Sequence, residues 1–322
     1  MAEAHNHHYV PQTYLRGFSH GVDRQAQVFV ADLERGKTFT TLVRNIGSSR
    51  DFNRIDVQGH HPNALEDAYT KFEDQMAPAL KRVSAARSLD SEEDKILILN
   101  LIALLAVRNP RFRKNFSGFM DQIYRNIAHI TFSKKERWES LKRRMSKDGI
   151  KVREDIPFER LQKFALSDDY DIVTSKTTHA RIEVGQFDNL IRLLIMRNWR
   201  LLVAGDDAGD FITSDHPVCL QPTNANLIGK PLGYGLKNTA LFFPIDRKTA
   251  LAGEFDGASE TLVLHPLQVS TVNTLIIRCA RSQIYAADDA FAFIAADQSI
   301  KKGRELLAVL SGVQRTKTTS PD

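Results

Sequence analysis

Residues 96–107, ILILNLIALLAV, are apolar at every position except Asn100. A helix that is apolar all round has to be buried all round. The run is too short and too closely flanked by charge to span a bilayer, which takes about 20 residues. It predicts a helix through the middle of a core, opened by the acids Asp90, Glu92, Glu93 and Asp94 at its positive end. It leads directly into Arg108-Asn109-Pro110-Arg111-Phe112-Arg113. A core helix thus delivers guanidinium groups at its end, and Pro110 should kink it before a helical pattern resumes through Ile123, Ile127 and Ile130.

The same reading orders the rest of the chain. In residues 5–20, Tyr14, Leu15 and Phe18 fall at helical spacing and predict a short helix docked on the core after an extended piece. Residues 25–44 alternate, with Val28 and Val30 on one face and Phe29 on the other, around the turn Glu34-Arg35-Gly36-Lys37, and predict a β-hairpin. Residues 44–62 read as a loop with one short strand or turn. Leu65, Tyr69, Phe72, Met76, Leu80 and Val83 form one helical stripe over residues 63–87. Asn63 and Glu66 suit a capping box, and Pro78 should kink or split the helix. Residues 133–147 form a charged amphipathic helix, residues 150–175 a small apolar set, and residues 178–199 a further helix.

After residue 199 the pattern turns to short apolar runs, at 200–204, 211–213, 218–220, 241–245, 250–252 and 283–286, with helices at 265–276 and 298–310. Strands at both ends and helices between predict an α+β fold. In it a helical middle layer packs on a mixed or antiparallel sheet built from the N-terminal hairpin and the C-terminal strands. Residues 1–315 are expected to form a single domain, strand-rich over 1–62 and 200–290 and helical over 63–199, and residues 316–322 a disordered tail.

Composition adds little. With 322 residues, 42% hydrophobic and 26% charged, the chain reads as an ordinary globular protein. A net charge of +5 permits nucleic-acid or phosphate binding without establishing it. Cys219 and Cys279 are not in a CxxC pair, which reads as reduced thiols and a cytoplasmic location. No signal peptide or membrane span is expected. No P-loop, dinucleotide-binding turn, nucleophile elbow or HExxH helix occurs, which argues against the enzyme classes they mark.

The phrase His7-His8-Tyr9-Val10-Pro11-Gln12-Thr13-Tyr14-Leu15-Arg16-Gly17-Phe18 resembles the opening of a bacterial family catalogued as domain of unknown function 4238. Arg50-Asp51-Phe52, Glu66 and Glu73, Arg108-Asn109-Pro110, Ser214-Asp215-His216-Pro217, Phe243-Pro244 and Asn273 agree with it in order, over roughly residues 5–290. The family carries no activity to transfer.

Candidate chemistry rests on the residues themselves. His5, His7, His8 and His20 cluster near the start, with His60 and His61 further on. Imidazole binds first-row metals and titrates near neutrality. On an extended strand His7 and His8 point to opposite faces, whereas His5 and His7 share one. Asp51, Glu66, Glu73 and Asp215 are the carboxylates of interest, and Glu66 and Glu73 lie on nearly one side of a helix. His7, His8, Glu66 and Glu73 are therefore candidate ligands for a divalent metal ion. His8, Asp215, Arg108 and Arg111 are candidate catalytic residues for cleavage of a phosphodiester in nucleic acid. The phrase His8-Tyr9-Val10-Pro11 also resembles the first part of an HNH nuclease site, with Asn53 and His60 or His61 to complete it, although these histidines precede the helix that should carry one. The structural alternatives are a capping role for Glu66, a solvated face for Glu73, an Asx-turn for Asp215, and an ion-pair network or a bound anion for Arg108 and Arg111. Arg113, Lys114 and the run Lys142-Arg143-Arg144 read as a solvated face, with a nucleic-acid patch as the alternative. The opposing functional hypothesis is a non-catalytic binding or regulatory protein in which these groups form a buried polar network.

Overall fold

A computed structural model describes residues 6–21, 23–153 and 155–318. His5 and residues 319–322 of the expected tail lie outside the described residues. In chain order the N-terminal part holds β1 (Asn6–His8), α1 (Gln12–Leu15), β2 (Gln27–Asp32), β3 (Lys37–Leu42) and β4 (Ser48–Arg50). There follow α2 (Ala64–Ala86), α3 (Glu92–Val107), α4 (Pro110–Phe132), α5 (Lys135–Lys147), α6 (Phe158–Ala165) and α7 (Lys176–Ile195). The C-terminal part holds β5 (Asn198–Ala204), β6 (Thr213–Ser214), β7 (Cys219–Pro222), β8 (Thr239–Pro244), β9 (Thr249–Glu254), β10 (Thr261–Leu264), α8 (Pro266–Cys279), β11 (Gln283–Ala286), β12 (Ala292–Ile294), β13 (Ile300–Lys302) and α9 (Leu306–Thr318). The fold is α+β. The chain divides into two compact units, residues 1–110 with 180–322, and residues 111–179.

In the first unit the N-terminal hairpin joins the C-terminal strands, as the pattern predicts. One sheet runs β3-β2-β11-β6, with β11 antiparallel to both β2 and β6. A second runs β10-β5-β9-β8-β7, antiparallel except for the β10–β5 pair. Alternation along these strands feeds separate cores. Val28, Val30, Leu201, Val203, Leu241, Phe243 and Tyr285 pack into one core with α3. Phe29, Ala31, Ile284 and Ala286 face a second core with Ile276 and Ile277 of α8. Leu202, Ala204, Ala250 and Ala252 face a third with Val269 and Val272 of the same helix. Helix α3 is buried without interruption from Leu101 to Val107, although Ile96 in its first half is exposed. The N-terminal segment is anchored to this core by Tyr14, whose hydroxyl bonds Thr213 Oγ1 at 2.7 Å and donates to the Pro244 carbonyl at 2.8 Å.

Several local expectations are corrected. Pro78 lies inside α2 without splitting it. Asn63 makes no side-chain cap there, and the Glu66 side chain bonds Asn53 in place of closing a capping box. The core helix ends at Arg108, whose backbone (φ −93°, ψ 71°) is not helical, and α4 starts afresh at Pro110. Arg108 and Arg111 therefore belong to different helices. Strands β10 and β12 lie in stretches for which the pattern predicted no element. Residues 300–302 form β13, so the last helix starts later than expected and includes residues 316–318. Cys219 and Cys279 form a disulfide, with Cα atoms 5.8 Å apart. The strand β7 and the end of α8 bring together two residues far apart in sequence, which spacing alone does not reveal. The thiol-based argument for a reducing compartment loses its ground. Among the described residues no helix is long and apolar enough to cross a membrane.

In the second unit α5 and α6 bury no residue fully. The unit is held by Phe132 stacked on Trp138 at 5.1 Å and by Gln162 Nε2 donating to the Phe132 carbonyl at 2.6 Å. Arg125 pairs with Asp121 at 3.0 Å and stacks on Tyr170. His179 Nε2 bonds Ser117 Oγ at 3.1 Å.

Candidate functional site

The site grows from strand β1. Its partner is β4, with His7 opposite Ser49 and His8 opposite Ser48. The Gly47 carbonyl accepts from the amides of both Tyr9 and Val10, at 2.8 and 3.1 Å. Gly47 has φ +62°, and a Cβ there would come within 3.1 Å of Val10 Cβ and 3.2 Å of Leu15 Cδ1, so glycine is needed for this close approach.

His7 is buried, and its Nδ1 accepts from the Asn53 amide at 3.0 Å. The Asn53 side chain donates to Glu66 Oε2 at 2.6 Å, and that oxygen lies 4.0 Å from His7 Nδ1. The turn leading to Asn53 places Asp51 at φ +53°, a conformation Asp tolerates better than most residues. His8 is half-buried and hydrogen-bonds the Arg44 backbone. His8 Nε2 has no hydrogen-bond partner among the described residues, which leaves Nδ1 for the contact with the Arg44 carbonyl. With Nδ1 accepting from an amide in His7 and meeting a carbonyl in His8, the two rings are held in complementary tautomers. His7 keeps a proton on a buried Nε2, and His8 keeps a lone pair on a buried Nε2, each without a partner. Burial pulls the His8 pKa below its ordinary value, and Arg108 and His7 pull the same way, against Arg44 and Glu66.

Arg108 is 0% exposed. Its guanidinium stacks on Tyr69 at 4.1 Å, and Nε, Nη1 and Nη2 have no hydrogen-bond partner among the described residues. A buried charge without hydrogen bonds is costly, and proteins avoid it unless something else satisfies the group. Glu73, one turn beyond Tyr69 on α2, is the carboxylate it influences. Burial pushes the Glu73 pKa up to about 7, against the pull of Arg108 and Arg16 and with the repulsion of Glu66 and Asp74. Glu66, Tyr69 and Glu73 follow helical spacing, so one face of α2 carries all three. Tyr69 also lines a cavity of about 380 Å³ with Leu65, Phe72, Leu104 and Val107.

The structure connects His7, His8, Glu66, Glu73 and Arg108 and leaves other candidates elsewhere. Asp215 is buried, but its carboxylate accepts from the amides of Arg281 and Ser282, at 2.9 and 2.8 Å, and from Ser282 Oγ at 2.6 Å. These distant partners replace the expected Asx-turn. Burial raises its pKa against these bonds. Its charge acts on Tyr9, whose pKa burial, with Asp215, raises to about 12. Arg111 is exposed, in the first turn of α4, whereas Arg113, expected on a solvated face, is buried. His20 lies 3.4 Å from Asp288 at the surface, and His60 and His61 are exposed. Among the described residues no group of three or more His, Cys, Asp or Glu side chains is placed to hold a metal ion. Sequence reading missed Tyr69, taken as part of an apolar stripe, although its position between Glu66 and Glu73 on one helix face was a usable signal.

No curated protein and no solved structure matches the chain. The model of a protein family of unknown function, DUF4238, matches residues 6–290. That span runs from β1 through the Arg108 turn and Asp215 to the strand that ties the two ends of the chain together, and the chain belongs to the DUF4238 family.

Proposed function

We propose that the His7–His8–Arg108 cluster is the active site of an enzyme that cleaves a phosphodiester in nucleic acid. The observation that carries this reading is the fully buried guanidinium of Arg108 with no hydrogen-bond partner among the described residues. Guanidinium forks match phosphate oxygens, and such a group held in advance stabilises charge that develops in the transition state. The neighbouring groups have the properties that phosphoryl transfer needs. His8 Nε2 carries a lone pair and, with its lowered pKa, is neutral at pH 7, so it takes the proton of the attacking water as that oxygen forms its bond to phosphorus. Glu73, with a pKa of about 7, is partly protonated there and gives its proton to the leaving oxygen as the old P–O bond breaks. His7 Nε2–H donates to a phosphoryl oxygen. The cavity beside Tyr69, mostly apolar but with Glu183 and Asp188 in its wall, offers room for a nucleoside.

The chain of bonds from His7 through Asn53 to Glu66 favours the second reading, a non-catalytic binding or regulatory protein in which these groups only order the fold. Incubation of the protein with end-labelled RNA and DNA, with chelator and with added Mg²⁺ or Mn²⁺, separates the two. Cleavage that falls at least about 100-fold in His8→Ala is expected for a general base. Cleavage only with added metal makes the reaction metal-dependent. Intact RNA and DNA under all conditions defeat the enzymatic reading.

A further inference from the structure

Three arginines that the catalytic reading does not use line a single cavity of about 250 Å³. Its walls are Gln12, Arg16, Arg24, Ala26, Val43 and Arg44. The arrangement follows from the local fold. Gln12 and Arg16 are one turn apart on α1 and its cap, so they share a side. The amide of Val43 donates to the Ala26 carbonyl at 3.0 Å, which brings the segments carrying Arg24 and Arg44 together. All three arginines are exposed, and none of their guanidinium groups makes a hydrogen bond or ion pair with another described residue. No carboxylate is among the described residues lining the cavity. Three like charges gathered in a concave surface repel one another, and an anion of matching geometry relieves this.

The cavity adjoins the site. The backbone of Arg44 accepts the hydrogen bond of His8, and Arg16 acts electrostatically on Glu73. We propose that Arg16, Arg24 and Arg44, with Gln12, form a second phosphate subsite that holds the backbone of a polynucleotide beside the bond cleaved at His8 and Arg108. This rests on the phosphodiester reading and deepens it: the substrate is a polymer, held at more than one phosphate, and not a mononucleotide.

The test is fluorescence anisotropy with a labelled single-stranded 12-nucleotide probe over a salt series. It compares wild type, the triple variant Arg16→Ala/Arg24→Ala/Arg44→Ala, and a control that removes the same charge elsewhere (Lys81→Ala/Lys230→Ala/Arg278→Ala). Each lost phosphate contact on a single strand lowers the slope of log affinity against log salt by about 0.7, so the triple variant should lose about 2 from the slope while the control keeps the wild-type value. Equal slopes in wild type and triple variant overturn the subsite, as does an oligonucleotide that wild type does not bind, or an equal loss in the control. Cleavage is read separately. A protein that binds the probe with the expected slope but breaks no bond keeps the subsite and loses the catalytic reading.

Discussion

Of the arginines buried among the described residues, Arg108 and Arg197 each stack on an aromatic ring, and they differ in what their nitrogens meet. Arg197 lies over Phe255 at 4.3 Å, and Arg108 over Tyr69 at 4.1 Å. Arg197 Nη1 donates to the carbonyls of Thr239 and Gly253, at 2.8 and 3.0 Å. Its Nη2 donates to the Tyr234 carbonyl and to Thr239 Oγ1, at 2.8 and 3.0 Å, and only Nε lacks a partner. Arg108 has none of these bonds. The fold can therefore satisfy a buried guanidinium with backbone oxygens, as it also satisfies the Asp215 carboxylate with backbone amides. At Arg108 it leaves the donors open among groups of perturbed proton affinity. On the proposed reading, that contrast separates a charge that staples the structure from one kept for a ligand.

The largest expected effect lies on the satisfied side. Arg197→Met removes four hydrogen bonds and strands buried carbonyls, and should cost at least about 4 kcal/mol in denaturant unfolding. A loss below about 1 kcal/mol would erase the distinction between the two arginines.

Next comes Glu73, through pH. Its folded pKa of about 7 lies above the ordinary 4.5, so the folded state holds the proton more tightly. Stability from this group is fully present below pH 4.5, falls as pH rises towards 7, and stays low above it. The loss amounts to up to about 3 kcal/mol, reduced by partial exposure. Glu73→Gln should flatten the melting temperature across this window and exceed wild type above pH 7. A wild-type profile unchanged by the substitution would remove Glu73 from the acid–base pair.

The smallest effect on stability is expected at Arg108 itself. Arg108→Met forfeits the stacking on Tyr69 but also removes an unsatisfied buried charge, so the net change should stay within about 1 kcal/mol. Millimolar inorganic phosphate should raise the melting temperature of wild type and not of this variant. A drop of about 3 kcal/mol or more would instead mark a structural ion-pair member.

Much of the fold was legible because burial leaves a local signature. The apolar run of α3 announced the core, and Tyr14, Leu15 and Phe18 announced the docking of α1. The alternation in β2 announced a strand between two layers, with Val28 and Val30 in one core and Phe29 and Ala31 in another. Arg108 stood out for the same reason, as a charge attached to the most buried helix. The candidate site was legible only as an inventory of residue types. Glu66 looked like a cap and is bonded to Asn53, and Asp215 looked like a local turn and is bonded to residues 281–282.

The sequence alone thus determined the α+β class, the core helix, the hairpin and the resemblance that placed the chain in its family, because periodicity and local turn chemistry act over a few residues. Tertiary structure alone decided the Cys219–Cys279 bond, the complementary tautomers of His7 and His8, the raised proton affinity of Glu73 and the open donors of Arg108. Each depends on which distant group arrives at a given atom, and on how much water is excluded when it does.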